Sequence, residues 1–327
     1  MSPAELQEKP MALPVHEPRW VREVMRLPYV FAGRALFAIR RFGLIFDGPF
    51  NQVIVGLSGL PQLPVEFPEQ VQAARIFACP RTFSARRIEL LKRAILYVPA
   101  QYEHFYVSVS GTFEQYLQKF SSKTRWTFRK KVKRFMESGG AHPFREYRDA
   151  GSMREFYALS RAVSEKTYQQ KLLDAGIPVE KDFPDQLQHR AAGAGVRGYV
   201  LLHDQVPAAY ALWYVYGETV TLDKMGYDPK YADLNPGTVL TYLSLQRLFA
   251  EQRFKTLDFG AGYYDYKELF ATDSIRCADV IYLRRTAVNL LAVCSHAALE
   301  IVSDLLKRML AAVGLKAKVK KLIHRHA

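Results

Sequence analysis

At 327 residues, with 49% hydrophobic and 13% aromatic side chains, the chain has material for one large domain or two modest ones, and its composition excludes a disordered protein. The formal charge of +14 and pI near 9.6 exceed what a fold requires and point to a polyanionic partner: a phosphorylated cofactor, an anionic lipid surface or nucleic acid. Cys79, Cys277 and Cys294 are odd in number and widely spaced, which excludes a disulfide framework or a cysteine metal cluster and suits a reducing, cytoplasmic setting.

The opening M-S-P-A-E-L-Q-E-K-P lacks a basic segment followed by an apolar core, so no secretory signal is expected. No uninterrupted apolar run reaches the roughly 20 residues of a membrane span. The expectation is a soluble protein, or one peripheral at the inner face of the membrane.

Residues 1–18, rich in proline and polar groups, read as a flexible lead-in. From Trp20 to Phe46 apolar residues are interleaved with Arg22, Arg26, Arg34, Arg40 and Arg41 against one acid, Glu23. Two readings stand: a basic amphipathic stretch lying on an anionic membrane, or a helix packed on its own domain with arginines at the rim. Between Asn51 and Gln101 short apolar pieces, Val53–Leu57 and Ala94–Val98, are separated by Pro61, Pro64 and Pro68, which predicts a small α/β subdomain with loops.

Thr112-Phe-Glu-Gln115 has the form of a capping box and starts a helical region. The following run from Ser121 to Met136 places Phe128, Val132, Phe135 and Met136 on one apolar face. Its other face carries Lys123, Arg125, Arg129, Lys130, Lys131, Lys133 and Arg134, and Gly139-Gly140 ends it. That charged face is either simply solvated or a binding surface for the phosphate groups of a substrate, with Lys123, Arg125, Arg129 and Lys130 as the candidate ligands.

The pattern then alternates: strand His142–Tyr147, helix Met153–Glu165 and helix Pro184–Ala192, followed by strands Arg197–His203, Ala208–Tyr216 and Thr219–Met225. His203-Asp-Gln-Val206 and Gly217-Glu218 have lengths suited to antiparallel hairpins, and A-A-Y-A-L-W-Y-V-Y, apolar on both faces, belongs at the centre of its sheet. Helix Pro236–Glu251, strand Thr256–Phe259, a short helix at Tyr266–Ala271 and strand Ala278–Arg284 complete the predicted sheet region. From Thr286 the chain is helical with a break at Gly314. Beyond Asp304 it has no acid but carries Lys307, Arg308, Lys316, Lys318, Lys320, Lys321 and Arg325, a basic tail that reads as a membrane or polyanion contact or as a solvated end.

Four pieces carry a family resemblance: S-S-K-T-R-x-x-x-R-K-K from Ser121, the hairpin V-P-A-A-Y-A-L, G-Y-D-P-K-Y-A-D-L-N-P-G-T-V-L from Gly226, and D-F-G-A-G-x-x-x-Y-K from Asp258 to Lys267. In this order, over about residues 108–283, they resemble the BioF2-like (CelD-like) branch of the GNAT acyltransferase superfamily, which is related to the Fem-type aminoacyl transferases of peptidoglycan cross-bridges. The resemblance implies an α/β (α+β) GNAT acyl-CoA N-acyltransferase fold, a mixed central sheet flanked by helices. The expected domains are the lead-in 1–18, an N-terminal subdomain 19–107, a GNAT-like domain 108–285 and a helical basic tail 286–327.

At the Asn235-Pro-Gly-Thr238 junction, Pro236 suits the first helical turn and Gly237 permits close backbone approach. The amides of Gly237, Thr238 and Val239 can then hold an anion. Alternatively, this is an ordinary helix start with Asn235 as N-cap. The resemblance implies that coenzyme A pyrophosphate binds here, with Asn235, Gly237, Thr238 and Val239, and with Met225 and Gly226 on the preceding strand. The single glycine departs from the superfamily's Q-x-x-G-x-G/A loop, and Fem-type relatives use aminoacyl-tRNA instead.

The turn from Asp258 is the expected reaction centre. Acyl transfer needs a base, donors to the oxyanion and an acid for the leaving thiolate. Lys267 resembles the lysine of the Fem-type aromatic-lysine pair and is assigned to negative charge at the reacting carbonyl or on a substrate phosphate. Tyr266, Tyr264 or Tyr263 is the acid by analogy. Asp258 is the candidate base, with Asp223 and His203 behind it, or else a structural acceptor for the Gly260-Ala261-Gly262 turn. The implied activity is transfer from acyl-CoA, acetyl-CoA or longer, to an amine or hydroxyl of a phosphorylated or lipid-linked saccharide or amino-acid precursor of envelope or exopolysaccharide. A Fem-like, tRNA-dependent transferase and a non-catalytic polyanion- or membrane-binding module are the alternatives. No metal is expected: His324-x-His326 has no second ligand pair. Asp258-Phe-Gly lacks the other kinase segments, and Gly260-x-Gly262 lacks the third glycine of a dinucleotide fingerprint.

Overall fold

The computed structural model describes residues 19–31, 34–53, 63, 71–80, 87–167 and 176–312. The lead-in 1–18, nearly all of the Val53–Leu57 piece and the tail from residue 313, with its break at Gly314, lie outside the described residues. In chain order come β1 (Arg19–Phe31), β2 (Arg34–Asp47), β3 (Ala73–Pro80), β4 (Ile88–Leu90), β5 (Ala94–Tyr97) and β6 (Gln101–Ser108). Next are α1 (Phe113–Leu117), α2 (Ser122–Ser138), β7 (Phe144–Tyr147), α3 (Met153–Ser164), α4 (Phe183–Ala192), β8 (Val196–His203), β9 (Val206–Tyr216) and β10 (Thr219–Tyr227). The last are α5 (Pro236–Ala250), β11 (Thr256–Asp258), α6 (Asp265–Phe270), β12 (Asp273–Arg284) and α7 (Ala287–Ala312). These elements form two compact units that interleave in sequence. One holds 112–163 and 177–255; the other holds 19–111, 164–167, 176 and 256–312 among the described residues. The boundaries expected from sequence are consecutive, whereas the folded chain returns at Thr256 to the unit begun by its first strands.

In the first unit β7, β8, β9 and β10 pair antiparallel in that order, and both tight hairpins fall where the connection lengths place them. β9 is paired on both sides and buried along most of its length, as its two-faced apolar run requires. The core gathers Met153, Phe156, Leu187, Val196, Val200 and Leu212. Thr112 and Gln115 form the reciprocal capping box, and Ser121 Oγ accepts from the Thr124 amide at 3.2 Å to start α2. Phe128 and Phe135 are buried, but Val132 is half-buried and Met136 exposed, so the docked stripe of α2 is narrower than predicted. In β10 the register with β9 shifts between Leu222 and Lys224, a bulge at Asp223.

In the second unit the order is β1-β2-β3-β12-β6-β11, with β5 also on β12 and β4 on β5. β2 and β3 are parallel; β1–β2, β3–β12, β5–β12, β6–β12 and β6–β11 are antiparallel. The stretch from Trp20 to Phe46, read as a basic amphipathic stretch on a membrane or as a helix packed on its own domain, is a long hairpin. Its local period is two: Met25 and Tyr29 are buried while Val24 and Arg26 face out. Gly43 lets the strands close up, because a Cβ there would lie 2.5 Å from Met25 Sδ and 2.7 Å from the Ala73 carbonyl. The described part of residues 51–101 holds strands and the end of one helical turn, Phe50–Gln52, rather than an α/β subdomain. β12 starts at Asp273, ahead of the expected Ala278, because pairing with β6 from Asp273↔Tyr106 extends it.

The segment Ala287–Leu306 of α7 is long and apolar enough to cross a membrane by length and composition, with a hydropathy of 1.4. It is not an uninterrupted apolar run, because Asn289, Ser295, His296, Glu300 and Asp304 lie within it, so the sequence expectation concerns a different property and stands beside this one.

Candidate functional site

The predicted site residues fall in both units. In the first, β10 delivers Met225 and Gly226, and the chain then passes through the helical turn Pro229–Leu234 into α5. Asn235 takes a left-handed conformation, φ 55 and ψ 47, between the two helices. It stands at the N-cap but does not cap: its Nδ2 turns back to donate to the Asp233 carbonyl at 3.2 Å. The ordinary capped start is thus not what forms. The amides of Gly237 and Thr238 have no acceptor among the described residues, whereas the Val239 amide donates to the Asn235 carbonyl at 3.1 Å and its side chain is buried. Val239 therefore drops out of the anion site. A Cβ on Gly237 would meet only the Tyr227 ring, at 3.6 Å, an ordinary contact, so packing within the unit does not demand the glycine. Met225 Sδ accepts from Thr241 Oγ1 at 3.6 Å, tying the strand end to the first turns of α5.

Of the basic candidates on α2, Arg125 is occupied. Its guanidinium donates to the Phe120 carbonyl at 2.7 Å and to Ser122 Oγ at 3.2 Å, so it closes the start of its own helix. Lys123, Arg129 and Lys130 are exposed. Arg129 lies beside the Tyr242 hydroxyl, whose pKa is raised by burial and pulled back by that guanidinium. Lys130 sits 4.9 Å above the exposed ring of Trp126, a cation over an aromatic face. His203 lies against Tyr231, ring centroids 5.1 Å apart, and Asp223 at the bulge is 3.8 Å from Lys224.

In the second unit β11 runs into a tight turn and then α6. Gly260 and Gly262 both have positive φ, 71 and 85, which explains the two glycines of D-F-G-A-G. Asp258 is buried, 1% exposed; its Oδ1 accepts from the Gly260 amide at 2.7 Å and from His104 Nε2 at 2.6 Å. That placement matches the structural alternative, an acceptor that holds the turn, and leaves the carboxylate no open path as a base. His104 comes from β6, where Asp258 pairs with Tyr106, so the two side chains are diagonal neighbours on one face. Its Nδ1 is buried without a partner, and Phe50 covers the ring at 4.6 Å. His104 is absent from the sequence reading because no strand is assigned there; the alternation Tyr102-His104-Tyr106 is the signal that marks it.

Lys267 is also buried, 4% exposed, and donates through Nζ to the carbonyls of Ala261 at 2.7 Å and Gly260 at 3.0 Å. Burial lowers its pKa to about 8, with the Asp258 charge opposing the shift. The Tyr264 ring lies 5.3 Å from that ammonium, and Tyr264 is exposed while Tyr266 is half-buried with its pKa raised by burial. Tyr263 donates to Glu268 Oε2 at 2.6 Å, which commits its hydroxyl. The hydroxyls of Tyr264 and Tyr266 have no partner among the described residues. Also among the described residues, no group of His, Cys, Asp and Glu gathers as a metal site would.

Residues 122–268, which take in α2 with its basic face, the α5 start and the Asp258–Lys267 turn, match the family model of the acetyltransferase (GNAT) domain. That segment is a GNAT domain. Its order of helix, antiparallel strands, helix and strand gives the mixed α/β architecture with helices flanking the strands. No curated protein matches the chain. Solved structures similar to the chain include FemX, at 11% identity and TM-score 0.44 over 69% of this chain and 75% of that one. L-PGS from Bacillus licheniformis matches at 15% identity and TM-score 0.41, over 68% and 72%. A GCN5-related N-acetyltransferase from Kribbella flavida matches at 10% identity and TM-score 0.33, over 66% and 68%. The matched segment contains all the candidate site residues singled out in the sequence, from Lys123 to Lys267.

Proposed function

We propose that the chain is an acyltransferase that takes an acyl group from a coenzyme A thioester and transfers it to an amine or hydroxyl of a phosphorylated or lipid-linked envelope or exopolysaccharide precursor. The observation that carries the donor is the start of α5. There a left-handed, non-capping Asn235 leaves the Gly237 and Thr238 amides without acceptors at the positive end of a 15-residue helix. The thioester supplies the activated acyl group. Gly237 and Thr238 bind the diphosphate, and Asn235, Met225 and Gly226 shape the approach to it. Lys267 and Asp258 hold the Gly260–Gly262 turn from both sides, Lys267 through its carbonyls and Asp258 through its amide. Tyr264 or Tyr266 delivers the proton to the departing sulfur, and the proton released by the acceptor's amine or hydroxyl as the new bond forms restores the phenol. Lys123, Arg129 and Lys130 receive the acceptor's phosphate groups.

Calorimetry with acetyl-CoA and longer acyl-CoAs tests the donor; no heat with any of them removes it. The exposed Trp126 with Lys130 over its face, on a helix this basic, supports a second reading, a Fem-like transferase taking aminoacyl-tRNA. Tighter binding of charged tRNA than of acyl-CoA decides for that donor. Steeply salt-dependent polyanion binding without any acyl transfer marks a non-catalytic module.

A further inference from the structure

Helix α7 has two apolar faces, and only one of them is used. Its inner face is fixed to the second unit: Tyr29 Oη donates to the Ala292 carbonyl at 2.7 Å, and His296 bridges Tyr97 Oη at 2.6 Å and the Pro28 carbonyl at 3.1 Å. Because a carbonyl only accepts, His296 Nε2 carries the proton and Nδ1 accepts from the tyrosine. Asn289, Val293 and Ala297 are buried alongside.

The outer face carries Val288, Leu291, Ile301, Val302, Leu305 and Met309, between 50% and 71% exposed. With Cys294 and Ala298, also exposed, between them, they recur at three- and four-residue steps and make one line about 30 Å long at 1.5 Å per residue. Phe37, 57% exposed, is stacked on Tyr29 at 4.4 Å and widens the apolar surface at the hairpin. Soluble monomers rarely leave so continuous a strip in water.

Charge selects what covers it. Arg284 and Arg285 precede the helix, and after Asp304 the sequence carries Lys307, Arg308, Lys316, Lys318, Lys320 and Lys321 without an acid. A second copy packed on the same face, parallel or antiparallel, would set one basic end against another. An anionic bilayer matches both ends and takes the strip between them. Although α7 passes the compositional test for a span, its inner face is bonded to the unit through His296 and Tyr29, so it lies along the interface and does not cross. We infer that the outer face of α7 is a membrane-docking surface for anionic lipid.

Flotation of the full chain with phosphatidylcholine vesicles, with and without phosphatidylglycerol, tests this. Binding is expected to require the anionic lipid, to fall with salt, and to drop at least about tenfold in the double variant Leu291→Glu/Ile301→Glu, since each charge opposes insertion. The thermal melt of that variant stays that of the wild type, because both side chains are exposed. Neutralising Lys316, Lys318, Lys320 and Lys321 to glutamine weakens binding separately. No wild-type binding, or binding that the double variant leaves intact, overturns the assignment. A chain that is dimeric alone, ignores vesicles and becomes monomeric in the double variant assigns the face to a second copy and also overturns it. Vesicle binding is independent of the acyl donor, so calorimetry with acyl-CoA fails or succeeds separately.

Discussion

Replacing Lys267 by methionine keeps most of the aliphatic stem and removes the charge, which makes it the sharpest probe of the Asp258–Lys267 turn. Burial lowers the ammonium from 10.5 to about 8, a difference of about 3 kcal/mol between its protonation states in the folded protein. The sign follows from proton linkage. Below pH 8 both the folded and unfolded chains hold the proton, and the full burial penalty stands. Between about 8 and 10.5 the folded chain releases it first, the unfolded chain binds more protons, and stability rises with pH. Relative to Lys267→Met, the wild type should gain about 1.4 kcal/mol from pH 7 to 9 and about 2.5 kcal/mol by pH 10. Urea unfolding of both proteins across that range measures the difference, and tyrosine and cysteine titrations common to both cancel. A flat difference would show that Lys267 is not a buried ammonium and would refute its place under the turn. In turnover at pH 7 the same variant should lose more than its loss of stability accounts for, because the turn that Lys267 holds leads into Tyr264 and Tyr266. A loss of turnover no larger than the loss of stability would make the lysine purely structural.

Gly237→Ala should leave the melting temperature unchanged or slightly raised, since its Cβ meets only Tyr227 at 3.6 Å, while acyl-CoA affinity falls about tenfold, or 1.4 kcal/mol; unchanged affinity by calorimetry would move the diphosphate elsewhere. His104→Ala strips Asp258 of its buried partner and should cost about 3 kcal/mol in urea unfolding, against under 1 kcal/mol if the 2.6 Å contact contributes nothing. Gly43→Ala should destabilise by about 2 kcal/mol or more, and adding Met25→Ala should not restore it, because the Ala73 carbonyl still lies 2.7 Å from the new Cβ.

Much of the GNAT region is legible in the residues because its signals are local. The Thr112–Gln115 capping box, Ser121 before α2, the short links after His203 and Tyr216, and Pro236 at a first helical turn each act within a few residues. The strand Gln101–Ser108 and the hairpin β1–β2 are not legible in that way. In the hairpin, outward arginines and exposed apolar residues such as Val24 and Leu36 blur the two-residue period that Met25 and Tyr29 carry. Without β6 the sequence offers Asp258 its turn amides but not His104.

The sequence by itself determined which segment carries the family's motifs and where its helices start, since caps, turns and hairpin lengths are set by backbone hydrogen bonds between near neighbours. Only the tertiary structure decided what those residues do. His104 reaches Asp258 across 154 positions of chain, Lys267 is buried with its charge on two turn carbonyls, and one apolar face of α7 is covered while the other is open. Burial is a property of what packs against a side chain, and no local rule specifies it.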